Sequence, residues 1–378
     1  MQRPTRNAQR RESTGQKPDI SLHSTLIPSD APAGFRRSLL AWHRKNGRHD
    51  LPWRRTRDPY AVVVSEFMLQ QTQVAAVIPY FERWMRRFPN FNALAAAPER
   101  EVLHAWQGLG YYARAHNLHA AAQIIVTKYG GRFPSSPEAI RRLPGIGRYT
   151  TNAILSFAFN RSLPIIETNT ARLFSRLFNL EIPIDSGSGR EQLWLHAANL
   201  LPKRNSSVYH AALMDLGALV CRPRPACDIC PVQLFCRAKD PLQLPLRKAQ
   251  PSLRFHAERH GFVINNGGVL LEKSQERWQG MWILPRLTST PPRTKPLYTS
   301  RFPFTNHRVT LIVFPIKVTR RPQGSLQRWF PIDGLASLPL PSPHRRALET
   351  LVRSRHQIFP GMMTRPDFSN QDISKCEA

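Results

Sequence analysis

Acidic residues are scarce in this chain of 378 residues. Asp and Glu together number 25 against 54 Lys and Arg, a formal net charge of +29. A surface so unbalanced gathers polyanions, so nucleic acid is the first expected partner. Arg heavily outnumbers Lys, which suits forked contacts to phosphate. Long apolar runs are also missing. The AVVV stretch before Ser65 falls far short of a bilayer span, so no membrane role is expected. Cysteine is rare, with five in the chain. That scarcity, with no visible export leader, argues against a disulfide-built scaffold and sets the expectation of a reducing, cytoplasmic setting.

The few cysteines are concentrated. Cys221, Cys227, Cys230 and Cys236 are spaced C-x5-C-x2-C-x5-C, and only Cys376 lies elsewhere. Four thiolates this close can wrap one metal centre, and their softness favours zinc or an iron–sulfur cluster. Structural zinc more often uses two tight C-x2-C knuckles, and this loop has one.

Texture divides the chain. Residues 1–33 are rich in Arg, Ser, Gln and Pro and read as a disordered basic tail. Residues 34–240 carry successive apolar stripes of helical period, broken by Pro, Gly and Asn. One stripe runs unbroken from Asp58 to Phe88, and Asp58-Pro59 reads as an N-cap with proline at the first helical position. Residues 241–253 are Pro-rich and read as a linker. Residues 254–354 change to strand-like runs with an NNGG turn and read as a small α+β domain. Residues 355–378 read as a tail.

Two places carry chemistry. Leu143-Pro144-Gly145-Ile146-Gly147, preceded by Arg141 and Arg142, leads into a helix starting near Arg148 or Tyr149. Its glycines permit a tight turn, and the N–H groups of a helix start can receive a phosphate. The second place is Glu66, a carboxyl set in the apolar helix AVVVSEFMLQQTQV. Val62, Glu66 and Gln70 would share a face. Desolvation would raise the Glu66 pKa and fit it for general acid work near neutral pH. A buried glutamate merely satisfied by arginine or backbone would look the same in sequence.

Three stretches together resemble the MutY-type adenine DNA glycosylases, within the helix–hairpin–helix, endonuclease III-like superfamily. They are LPWRRTRDPYAVVVSEFMLQQTQVAAVIPYFERWMRRFP, QGLGYYARAHNLHAAA and LPGIGRYT. The resemblance is dense over residues 34–240 and weak beyond. It implies a mainly α helix–hairpin–helix glycosylase domain with an iron–sulfur cluster loop at 221–236, and a Nudix-like lesion-sensing domain at 254–354. It implies a [4Fe–4S] cluster on Cys221, Cys227, Cys230 and Cys236, with Arg222, Arg224 and Arg237 presented to phosphate.

The resemblance assigns roles as well. Glu66 would protonate N7 of a flipped adenine, and the bond would open through an oxocarbenium-like sugar. The second family carboxylate is normally Asp in a D-G-N pattern. Here the text is ETN, so the position is Glu167, with Asn169 retained. Glu167 could equally be a plain helix cap. Tyr149 stands where bifunctional relatives carry a Schiff-base lysine, which implies a monofunctional enzyme. Arg54, Gln70, Gln71, Thr72, Leu109 and Tyr111 match positions that line the base pocket, wedge into the stack or touch the opposite base. Gly145 and Gly147 would take a phosphate. His307, in Phe304-Thr305-Asn306-His307, is the one clean match to the family's lesion-sensing loop. The implied partner is double-stranded DNA with adenine opposite 8-oxoguanine or guanine, bound by a monomer. The alternatives are a mismatch glycosylase for another base and a catalytically weak lesion-binding protein.

Overall fold

The computed structural model describes residues 31–249, 251–291, 294–317 and 326–354. The expected tails at 1–33 and 355–378, and Cys376, lie largely or wholly outside those residues. The helical part comprises α1 (Ala31–Asn46), α2 (Pro59–Leu69), α3 (Val74–Arg87), α4 (Phe91–Ala96), α5 (Glu99–Ala105), α6 (Ala113–Tyr129), α7 (Pro137–Arg141), α8 (Arg148–Phe157), α9 (Thr168–Leu177), α10 (Gly187–Asn199) and α11 (Ser206–Leu219). Asp58 caps α2 by accepting from the Tyr60 N–H, with Pro59 at the first position. That fixed φ and the missing N–H suit a helix start.

The unbroken stripe expected from Asp58 to Phe88 is two helices. Gln71 takes a left-handed φ of 56°, which ends α2, and α3 restarts at Val74. Apolar period alone cannot show such a break, because both helices keep their apolar faces inward.

Two apolar cores result. One joins α2 to α8 with the C-terminal sheets; the other joins α1, α9, α10, α11 and the cysteine loop. The stretch 241–253 does not hang free throughout. Arg176 Nε donates to the Leu244 carbonyl, and the Ile184 N–H donates to the Leu246 carbonyl. Its first half is therefore strapped to the second core.

The C-terminal part contains β1 (Arg254–Phe262), β2 (Ile264–Asn265), β3 (Gly268–Lys273), β4 (Trp282–Ile283), β5 (Tyr298–Phe304), β6 (His307–Pro315), β7 (Gln327–Pro331) and α12 (Ser342–Arg353). One sheet has the order β1-β6-β5 and the other is centred on β3, which pairs with β2, β4 and β7. β1 and β6 run parallel from Arg254↔His307 to Phe262↔Pro315. β5 and β6 form a hairpin across Thr305 and Asn306. The two parts touch directly. His116 Nε2 lies 3.0 Å from the Gln279 carbonyl, and Arg345 donates to Gln107 at 3.0 Å.

Candidate active site

The site falls on the seam between the two cores. Glu66 comes from α2 in the first, and Glu167 starts α9 in the second. α2 is buried all round, from Tyr60 to Met68. A helix apolar on every face brings its one carboxylate inside with it. Glu66 is buried, and loss of water pushes its pKa up to about 7; the Tyr149 hydroxyl donates to it and holds the rise back, while the charge of Glu167 adds to it. Tyr149 itself stays protonated. Burial and the two nearby carboxylates raise its hydroxyl well above the usual phenol range. Tyr149 thus stands in the field of both acids.

Glu167 is half-buried and is the N-cap of α9. Its two carboxylate oxygens accept from the Asn169 and Thr170 N–H groups, each at 2.8 Å, and its own N–H donates to Thr170 Oγ1 at 2.8 Å. The plain capping role is therefore present. It does not consume the group, because each oxygen keeps a second lone pair. Burial raises the Glu167 pKa, while the two backbone donors, Arg172 and Arg48 oppose the rise.

Asn169 points its Oδ1 to Arg172, whose guanidinium also reaches the Gly217 and Cys221 carbonyls at 2.7 and 2.9 Å. One helical turn on, Arg176 donates to the Arg222 and Pro223 carbonyls and to the Cys221 Sγ at 3.3 Å. A Cβ on Gly217 would sit 2.9 Å from the Asn169 Cβ, so this close crossing of α9 and α11 requires glycine. α9 therefore carries Glu167 at its start and arginines holding the cysteine loop further along.

Cys221, Cys227, Cys230 and Cys236 all line one cavity of about 340 Å³, floored by Leu173, Leu177 and Val232. None of the four is in a disulfide. Among the described residues, no group of three His, Cys, Asp or Glu side chains closes on a single ion.

The hairpin lies where the sequence places it. α8 begins at Arg148 with Gly147 as its N-cap. Gly145 has φ +74°, and a Cβ there would meet Asn117 and Phe67 within 3.0 Å. A Cβ on Gly147 would meet nothing within 4 Å.

Other expected contacts divide. Gln71 is exposed and Tyr111 is 45% exposed, with φ of 56° and 48°. Gln70 and Thr72 are half-buried beside them. Leu109 is buried in the first core, so it backs that surface rather than projecting from it. Arg54 does not project either. Its guanidinium donates to both oxygens of Asp215 at 2.6 and 2.9 Å, where Arg48 also binds at 2.7 Å. A fully buried carboxylate outcompetes a surface role for that arginine. His307 opens β6 after the Thr305–Asn306 turn, its ring 4.6 Å from that of His256.

Sequence reasoning missed Asp215, Arg172, Arg176 and Arg114. Arg114 was legible. It falls on the buried stripe Arg114, Leu118, Ala121, Ala122 and Ile125 of α6, where a charge needs a purpose.

Residues 64–194 match the model of the HhH-GPD superfamily of base excision DNA repair proteins. That match, with the relatives that follow, places the chain among DNA N-glycosylases. The chain is 36% identical over 258 residues to an adenine DNA glycosylase of Buchnera aphidicola subsp. Acyrthosiphon pisum, covering 67% of this chain and 74% of that one. It is 36% identical to an adenine DNA glycosylase of Homo sapiens, covering 85% of this chain and 64% of that one. A solved thermostable thymine-DNA glycosylase has a TM-score of 0.51 and 29% identity, over 55% of this chain and 95% of the other. The chain belongs to the adenine DNA glycosylase family.

Proposed function

We propose that the chain excises adenine paired with 8-oxoguanine or guanine in duplex DNA, as a monofunctional glycosylase. The observation that carries this is Glu66: a buried carboxyl raised to about 7, tied to the Tyr149 hydroxyl and facing a second carboxylate. A protonated Glu66 gives its proton to adenine N7, and the C1′–N9 bond breaks with its electrons going to the base. Adenine leaves neutral, and the sugar becomes an oxocarbenium ion. Glu167, held by its two backbone donors, sets negative charge beside that cation. Water adds to C1′ and returns a proton to Glu66. Tyr149 orients Glu66, and a tyrosine offers no amine for a Schiff base. Purine specificity fits an acid aimed at N7, which pyrimidines lack.

Gly145 and Gly147 would receive a DNA phosphate at the start of α8. Gln70, Gln71, Thr72 and Tyr111 would read the opened pair, with His307 and the Nudix-like sheets reading the opposite base. Cys221, Cys227, Cys230 and Cys236 would hold a [4Fe–4S] cluster. All four thiols line one space of about 340 Å³, and a soft all-thiolate set is what such a cluster takes. Bound there, the cluster would brace the loop bearing Arg222, Arg224 and Arg237.

Single-turnover assays on duplexes with 8-oxoguanine:A, G:A, G:T and G:U test the proposal. Release is expected from the first two. The rate should fall as pH rises through about 7, as Glu66 loses its proton, and Glu167→Gln should move that limb to lower pH. Release of thymine or uracil instead would assign the chain to another base. Tight 8-oxoguanine:A binding with no adenine release would favour a lesion-binding protein.

A further inference from the structure

A buried arginine usually faces a carboxylate. Arg114 is 7% exposed and faces carbonyls. One terminal nitrogen donates to Phe67 and Met68 at 2.9 Å each, and to Gln70. The other donates to the Leu109 and Gly110 carbonyls at 3.1 Å each and to Thr72 Oγ1 at 3.2 Å. The first set belongs to the end of α2 and the turn after it; the second includes the loop before α6. The carbonyls at the end of α2 lack helical partners, and a cation there also suits the helix dipole. A planar fork with several donors can satisfy two segments at once, as a lysine cannot.

Both segments end in a strained residue. Gln71 and Tyr111 adopt left-handed φ of 56° and 48° without being glycine. Such conformations persist only where the surroundings over-determine them. The Arg114 guanidinium also lies 5.6 Å from the Tyr111 ring centre and 5.3 Å from that of Trp106, within cation–π range. One side chain thus sets the backbone of both turns and the platform under the exposed Tyr111.

We infer that Arg114 is a positioning residue that locks the turns at 69–72 and 109–111 into one DNA-reading unit, so that Gln71 and Tyr111 engage an opened base pair together. The inference rests on the proposal that these turns face DNA. It makes adenine extrusion a joint act of two segments some forty residues apart in sequence.

The test is a double-mutant cycle on the full chain. The probe is a duplex carrying 2-aminopurine opposite 8-oxoguanine, whose fluorescence reports unstacking. Gln71→Ala and Tyr111→Ala, singly and together, are measured for affinity and unstacking with Arg114 intact. The same cycle is then run with Arg114→Lys, which keeps the charge and loses the fork. With Arg114 intact the two effects should be coupled by about 5-fold or more, a size typical of residues sharing a network. With Arg114→Lys they should become additive within about 2-fold. If Arg114→Lys does not fold, Thr72→Val, which removes one partner of the fork, carries the same cycle and should weaken the coupling. Coupling that persists undiminished overturns the inference alone. Absence of any effect from Gln71→Ala and Tyr111→Ala with Arg114 intact overturns the DNA-facing reading and the inference with it. A merely structural Arg114 would lower thermal stability and leave the coupling unchanged.

Discussion

The helical part and the sheet part bury ionisable groups in different ways. In the helical part the buried charges have specific partners. Asp215 has Arg48 and Arg54, Arg114 has carbonyls, Arg172 and Arg176 have the cysteine loop, and Glu66 has Tyr149. In the sheet part the buried titratable pair is His260 and His344, packed ring to ring at 4.7 Å and kept neutral. Partnered charge fixes geometry, because each side chain has one arrangement that satisfies it. Neutral histidine serves packing and remains open to protons. The contrast places partnered buried charge in one part and an acid-sensitive histidine pair in the other.

The largest effect expected from breaking this arrangement is at Glu66. Glu66→Gln keeps shape and burial but cannot deliver a proton. Adenine release should fall by at least about 10²–10⁴-fold, the usual worth of a general acid. Affinity for the 8-oxoguanine:A duplex should stay nearly intact, because the proton acts in the transition state. Single-turnover kinetics beside equilibrium binding checks both halves. Retained release would remove Glu66 from the mechanism.

Asp215→Asn comes next and concerns stability. The carboxylate is fully buried while Arg48 and Arg54 are mostly so. Removing one partner of a buried ion pair costs about 3–5 kcal/mol. The denaturant midpoint should drop accordingly without a change in slope. A loss below about 1 kcal/mol would show the network behaving like a surface pair.

Glu167→Asp is smaller and sharpens the seam itself. Aspartate is the better N-cap, so α9 should not suffer. Its carboxylate, however, is drawn back by one methylene from where Glu167 now lies. Release should slow by about 10-fold or more, since small misplacements of a catalytic charge are costly. A rate equal to or above the parent would mean that the site is built around the shorter side chain.

These features were unequally visible in sequence. Local signals read well. Asp58-Pro59 starts α2, Gly145 and Gly147 shape the turn before α8, and the four cysteines gather on one cavity. Glu167 as a cap was also local, since its partners lie two and three residues on. What failed was long-range. Arg54 was assigned to DNA because nothing nearby shows that Asp215, 161 residues away, claims it. The break after Leu69 was hidden because it depends on Gln71 accepting a left-handed φ, beside a Gln70 carbonyl that Arg114 binds from another helix. The parallel pairing of β1 with β6 joins strands separated by a whole hairpin, and composition carries no trace of such an order.

The smallest and most selective prediction is acid loosening of the sheet part. His260 Nδ1 donates to the Leu284 carbonyl at 2.7 Å, and His344 Nδ1 accepts from the Leu284 N–H at 3.2 Å. His344 Nε2 is buried without a partner, and the groups facing the pair are Arg277, Arg286 and the Trp278 ring. Burial lowers His260 to about 4 and His344 well below its usual range. The unfolded chain takes up these protons near pH 6.5 while the folded domain refuses them. Stability is therefore intact above about pH 6.5 and falls as pH drops toward about 4. Protonating His344 Nδ1 would also break its bond from Leu284. The helical part is buffered over the same window. His210 is lowered to about 4 and loses stability there, but Glu66, raised to about 7, gains it as pH falls. Hydrogen exchange compared at about pH 7 and about pH 5 should show opening across residues 254–353, with residues 59–157 little changed. His344→Gln should shrink the difference between the two parts to the share that His260 carries, and equal opening of both in the parent chain would sink the contrast.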